Sequence, residues 1–400
     1  MSEEMKNLNN ESEKAPVEKK PLDKKTLGII IGAAAAVLVI VLVLVLALGG
    51  NNGGNNGGET PDNGGETTLN DYTLGMGVVV GTNVDGNDKN DLFDPQVDAT
   101  VAAVVLDKDG KIVFCRIDAV QNKATLNANG TYTITNLKTK MEQGDAYGMA
   151  AALGYGMDWN GDGVVKEWYD QAKAFETYVI GKTAAEVEAM ATKEVPGKGY
   201  IISADDALLS AGCTIQITDF KAAVVKACND EFKTSFKSAG NFTLGVSANS
   251  EDAYDAKKPS VLNMHSEFAA SVIEDGKIVA SLNDAIQPAL EYDATGKPVG
   301  EYSYKATKRE LKGEYGMTAA LGYYMDWNGD GKVLEWYEQS EIFSKHVVGM
   351  TKADVEAMAT KEVPGKGYII SADDTLLSAG CTIQITGLKA VVAESVANAR

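Results

Sequence analysis

Histidine is almost missing from this chain: His265 and His346 are its two among 400 residues, too few for a repeated His-based metal or catalytic centre. Cysteine is scarce as well, at four, which excludes a disulfide-dense secreted scaffold. Basic charge is also short, with 37 Lys and Arg against 56 Asp and Glu and a formal net charge of -19. No nucleic acid is expected as a partner, because such complexes take most of their affinity from Lys and Arg neutralising phosphates. Cations and basic partners suit this surface better. The 44% of hydrophobic residues supplies one or two packed cores and excludes a wholly disordered chain.

What is present begins with an address. Residues 1–27 are polar and carry Lys19, Lys20, Lys24 and Lys25 just before an uncharged apolar run at 28–48. About 20 such residues, at 1.5 Å rise each, cross the roughly 30 Å hydrocarbon layer of a membrane. The run therefore reads as a transmembrane anchor, with 1–27 in the cytoplasm by the positive-inside tendency. The alternative is a cleaved signal peptide, with Ala47 and Gly49 as small residues around a cut, although the run exceeds the usual signal core of about 7 to 15 residues. Residues 49–70, GGNNGGNNGGETPDNGGETTLN, hold no apolar side chain before Leu69 and read as a flexible linker. The expected localisation is the cell membrane, single-pass, with the C-terminal domains extracellular and an unidentified envelope or extracellular partner.

Compared with itself, the chain repeats. Residues 187–218 recur at 355–386 with a single change, Ala207 against Thr375. Tyr147-Gly148-Met149 returns as Tyr315-Gly316-Met317, and Asp109-Gly110-Lys111-Ile112 as Asp275-Gly276-Lys277-Ile278. A period of domain size predicts two tandem repeat domains, 71–236 and 241–400. Each starts as sheet: 99–106 and 111–120 flank the turn residues 107–110 as a hairpin, and 130–135 is a third strand. Each ends as helix. Trp168, Ala172, Phe175 and Val179 share one helical face, as do Trp336, Ser340, Phe343 and Val347, and Thr183 with Glu186 spells a capping box. The expected fold class is α+β, an antiparallel sheet covered by helices, twice over, after one transmembrane helix.

The segment Asp158-x-Asn160-x-Asp162-Gly163 matches the first half of an EF-hand calcium loop, and Asp326-x-Asn328-x-Asp330-Gly331 repeats it. Spacing of two places successive oxygens on one side of a tight turn, and the carbonyl of Val164 or Lys332 can add a ligand. The bidentate Glu of the twelfth position is replaced by Tyr169 and Tyr337, so Glu167, Asp170, Glu335 and Glu338 are the carboxylates left to complete each set. An ordinary Asn-Gly/Asp-Gly turn is the competing reading. Cys213 and Cys381 are equivalent but lack a partner repeated in both copies, which makes them unpaired small apolar residues, with a bridge from Cys115 to Cys213 or Cys228 open in the first copy alone.

Ser210-Ala211-Gly212-Cys213-Thr214 and Ser378-Ala379-Gly380-Cys381-Thr382 each precede a short apolar stretch and an Ala- and Val-rich helix. With the early Asp-Gly-Lys-Ile hairpin, each copy resembles the FMN-binding domain family of extracytoplasmic, membrane-anchored bacterial proteins, which includes the major membrane immunogens. Flavinylated members attach FMN phosphate to the Thr of a Ser-Gly-Ala-Thr motif. The resemblance implies Thr214 and Thr382 as the matching threonines, with Cys in place of the motif's Ala. From the residues themselves, Gly212 and Gly380 permit close backbone approach to a cofactor, or form a plain turn before a capped helix. The expected function is a non-enzymatic, membrane-anchored surface protein with two calcium-loop binding domains; the alternative is an extracytoplasmic FMN-carrying electron-transfer protein.

Overall fold

Val97, Ala99, Val101, Ala103 and Val105 point to one side of their strand, Ala102, Val104 and Leu106 to the other, and both sets are buried. A strand apolar on both faces must be covered twice, and the architecture follows from that. The computed structural model describes residues 69–84, 95–128, 130–150, 158–254, 260–318 and 326–400.

In chain order the first series of elements is β1 (Asn70–Asn83), β2 (Gln96–Leu106), β3 (Ile112–Leu126), β4 (Tyr132–Thr135), α1 (Lys140–Gln143), α2 (Trp168–Tyr178), α3 (Ala184–Glu188), β5 (Thr192–Glu194), β6 (Ile201–Ser203), α4 (Asp206–Ser210) and α5 (Thr218–Asn229). After β7 (Thr234–Ser238) come β8 (Phe242–Tyr254), β9 (Val261–Glu274), β10 (Lys277–Ile286), β11 (Ala289–Glu291), α6 (Lys308–Leu311), α7 (Trp336–His346), α8 (Lys352–Ala357), β12 (Thr360–Glu362), β13 (Ile369–Ser371), α9 (Asp374–Ser378) and α10 (Thr386–Ala397). The fold is mixed α+β with antiparallel sheets. One sheet runs β4-β3-β2-β1-β7. In the other, β9 is flanked by β8 on one side and by β10 and β11 on the other.

The two sheets share a core. Leu74, Met76 and Val78 of β1 pack in one cluster with Leu244, Met264, Phe268 and Val272 of β8 and β9. Inside it, Asn122 donates to the hydroxyls of Ser250 (3.1 Å) and Ser266 (3.0 Å), so a buried amide spans the gap between sheets. The outer face of the first sheet is covered by α2, α3 and α5 through Trp168, Phe175, Val187 and Phe220. That of the second is covered by α7, α8 and α10 through Trp336, Phe343, Val355 and Leu388. The result is helix layer, sheet, sheet, helix layer. A β-bulge between Ile278 and Ala280 turns Ile278 to the helix side while Ala280 and Leu282 face the other sheet. Residues Thr67–Arg400 form one compact unit.

Short helices are fixed at their starts. Thr139 with Glu142, Thr183 with Glu186, Thr307 with Glu310 and Thr351 with Asp354 all close capping boxes, the second as the sequence predicts. All four cysteines are buried free thiols. Among the described residues no helix is long and apolar enough to cross a membrane, which corrects the expected single-pass membrane localisation. The 28–48 run on which that expectation rests lies outside the described residues, as do 1–27 and nearly all of 49–70.

A core shared by both sheets makes unfolding a joint event. Phe268→Ala should cost about 3–5 kcal/mol in urea denaturation. Far-UV and near-UV signals should still report a single transition, moved to lower urea; separate transitions for the two sheets would contradict the shared core.

Candidate functional site

The loop 158–163 enters α2, and its counterpart 326–331 enters α7. Gly161 (φ +72°) and Gly163 (φ +77°) take left-handed backbone, as do Gly329 (+73°) and Gly331 (+76°), so the Asn-Gly-Asp-Gly order is set by the turn itself. Asp158 Oδ2 accepts from the N–H of Gly163 (3.0 Å) and Asp162 Oδ1 from that of Val164 (2.7 Å). Asn160 Nδ2 donates to Asp162 Oδ2 (2.9 Å) and to the carbonyl of Leu209 (3.0 Å). The second loop repeats each bond: Gly331 to Asp326 (3.1 Å), Lys332 to Asp330 (2.8 Å), and Asn328 to Asp330 (3.0 Å) and to Leu377 (2.8 Å).

Four oxygens are left over. Asp158 Oδ1, Asn160 Oδ1, Asp326 Oδ1 and Asn328 Oδ1 are buried and accept no hydrogen bond. A buried acceptor without a partner costs about 1–3 kcal/mol, so the same pair of orphans at the same place in two loops fits a hard cation. The donor set is modest: among the described residues no group of three or more His, Cys, Asp or Glu is placed to hold a metal. Each loop offers two carboxylates, an Asn amide oxygen and backbone carbonyls.

The other predicted ligands are engaged elsewhere. Glu167 accepts from the N–H groups of Met149 (2.7 Å) and Ala150 (3.3 Å), and Glu335 from the N–H of Met317 (2.9 Å) and the hydroxyl of Thr318 (2.7 Å). Both tie the preceding chain to a helix start. Asp170 lies in the first turn of α2, and Glu338 accepts from the N–H of Glu335 (2.9 Å), each favourable at a helix N-terminus.

The Thr214 and Thr382 sites are closed. Gln171 Oε1 accepts from the N–H of Thr214 (2.8 Å), the N–H of Ile215 (2.9 Å) and the Thr214 hydroxyl (3.2 Å). Gln339 does the same for Thr382 and Ile383. The threonines are 2% and 4% exposed, so neither hydroxyl is presented for a phosphate ester as the family resemblance implies. Gly212 (φ +90°) and Gly380 (φ +104°) serve the turn and leave room for Lys166 and Leu334. Burial pushes the Cys213 and Cys381 thiols up to about 12, which removes them as nucleophiles at neutral pH.

A second constellation recurs without a motif to mark it. Lys140 Nζ lies over Tyr147 (5.1 Å) and Trp168 (5.6 Å), and Lys308 Nζ over Tyr315 (5.0 Å) and Trp336 (5.2 Å). Burial lowers the pKa of both lysines. Asp98 of β2 and Asp219 of α5 act on Lys140, and Glu267 of β9 on Lys308. At Gly387, the α10 counterpart of Asp219, any Cβ would run into the Glu267 carboxylate. The signal in the sequence is only that Lys140, Tyr147 and Trp168 return 168 positions later. Between the halves lies a cavity of about 340 Å³ lined by Gly77, Lys226, Asp230, Phe232, Thr307 and Arg309. Its charges are already paired, Arg309 with Asp230 at 3.3 Å.

No family model matches the chain. A chlorophenol reductase of Desulfitobacterium hafniense is 28% identical over 158 residues, 34% of this chain and 44% of that protein. The chain thus spans less than half the length of that relative. No solved structure matches.

Asp118 and Asp284 hold the starts of α1 and α6, accepting from the N–H groups of Met141 (3.1 Å) and Arg309 (3.2 Å), and burial pushes their carboxyls up to about 7 and about 6. A folded pKa above the unfolded value of about 4 means that stability falls as pH rises from about 4 to about 7 and is level above that. Asp118→Asn keeps an acceptor and removes the charge. Its stability relative to the parent should therefore climb by a few kcal/mol between pH 4 and 7 in urea titrations; a difference independent of pH would refute this.

Proposed function

We propose that the chain is a non-enzymatic binding protein made of two copies of one α+β module, each carrying a calcium loop, 158–164 and 326–332. The observation that carries this reading is the pair of buried, partnerless oxygens on Asp158 and Asn160 and their recurrence on Asp326 and Asn328. Calcium suits an all-oxygen set drawn from carboxylates, an amide and backbone carbonyls. With Tyr169 and Tyr337 where a bidentate Glu would stand, affinity falls in the weak regime of about 10⁻⁴ to 10⁻³ M. Bound there, the ion neutralises two converging carboxylates and fixes the entry to α2 or α7.

Chelator-stripped protein titrated with CaCl₂ in a calorimeter should show two sites and a higher melting temperature, because a ligand held only by the folded state must stabilise it. Asp158→Ala and Asp326→Ala should each remove one site. No binding heat, with a melting temperature indifferent to chelator, would sink the proposal.

A second reading, an FMN-carrying electron-transfer protein, draws support from the relative named as a reductase and from the family resemblance. The buried threonines weigh against covalent attachment. Purified protein with flavin absorbance that persists after denaturation would favour it; colourless protein removes it.

A further inference from the structure

Each loop also holds down a small lobe. Residues 192–210 form the β5–β6 hairpin and α4, whose own core is only Val195, Ile202 and Leu209. Three buried side chains cannot sustain a fold alone. Trp159, the second residue of the loop, packs both against this lobe and against the main helix-side core, and Asn160 fastens the carbonyl of Leu209. On the opposite side α4 is anchored by Leu208 in the main core and by Tyr178 donating to Asp205 (2.5 Å). The arrangement recurs with Val363, Ile370 and Leu377, with Trp327 in both clusters and Asn328 on Leu377.

The lobes are the part of the surface that the two halves share most closely. Thr192, Lys193, Glu194, Pro196, Gly197 and Lys198 are exposed, and all return unchanged at 360–366, whereas the buried Cys115 and Cys228 are replaced by Ser281 and Val396. Packing does not demand that sameness at exposed positions.

We infer that cation occupancy of each loop controls whether its β-hairpin, β5–β6 or β12–β13, stays docked. This rests on the calcium reading above and adds regulation to it. With the ion bound, Asp158, Asn160 and Asp162 converge, Asn160 stays on Leu209 and Trp159 clamps the hairpin. Without it, two carboxylates repel and the clamp loosens.

Hydrogen exchange of the full chain, read by mass spectrometry with CaCl₂ or chelator, tests this. The probes are hairpin amides such as Val195, bonded to the carbonyl of Tyr200 (2.8 Å), and Val363, bonded to that of Tyr368 (2.8 Å). At a hundredfold excess of calcium over Kd, both hairpins should exchange up to about a hundredfold more slowly, through local openings seen at times before the core amides of β1, β2 and β9, which open only with the whole fold, exchange at all. Asp158→Ala should abolish the effect in 192–203 and leave it in 360–371, an internal control for folding. Calorimetric binding with unchanged or uniformly changed exchange would overturn the inference and leave the calcium reading standing. Absence of calcium binding would overturn both.

Discussion

Burial of both faces of two antiparallel sheets is the constraint on which the rest of the structure depends. Once Val97 to Leu106 is apolar on both sides, one face must meet the other sheet and one must meet helices. The inner faces use small and medium side chains, Ala99, Ala103, Ala270 and Ala280, around larger ones such as Met264 and Phe268. Asn122 Nδ2, donating to Ser250 and Ser266, adds direction to an otherwise apolar contact, while its Oδ1 is buried without a partner.

On this base each half builds the same helix entry with partly different residues. Glu167 and Glu335 both tie a preceding turn to the start of a helix, and Gln171 and Gln339 both hold the turn that leads into the last helix. Both lysines keep acids beside them: Asp98 of a strand and Asp219 of a helix around Lys140, and the strand acid Glu267, opposite Gly387, around Lys308. A cation over an aromatic face is favourable, but a charge taken out of water also needs a carboxylate nearby.

Much of this was legible in the sequence, for identifiable reasons. The α2 and α7 faces, the hairpin of β2 and β3 and the Thr183 capping box came from periodicity and turn chemistry, which act locally. β1 did not, because Gly75 and Gly77 break its pattern to let α5 approach closely. The β5–β6 hairpin was hidden by its brevity and exposure. At the candidate site, Asp158, Asn160 and Asp162 lie together as their spacing implies, whereas Glu167 and Asp170 are claimed by the helix start. Gln171 carried no sign in the sequence, since only the fold brings it to Thr214 across 43 residues. The motif around Thr214 gave no hint that its hydroxyl is buried and donates to Gln171.

The central claim is that two small oxygen-lined loops hold cations beside Trp159 and Trp327. Terbium(III) luminescence excited through indole reads that proximity directly, since terbium takes calcium's oxygen ligands and emits strongly only when a nearby ring transfers its excitation. The account predicts sensitised emission from the parent protein, displaced by calcium and lost when Asp158→Ala and Asp326→Ala are combined. Emission no stronger than that of the free ion, or undiminished in the double variant, would contradict it.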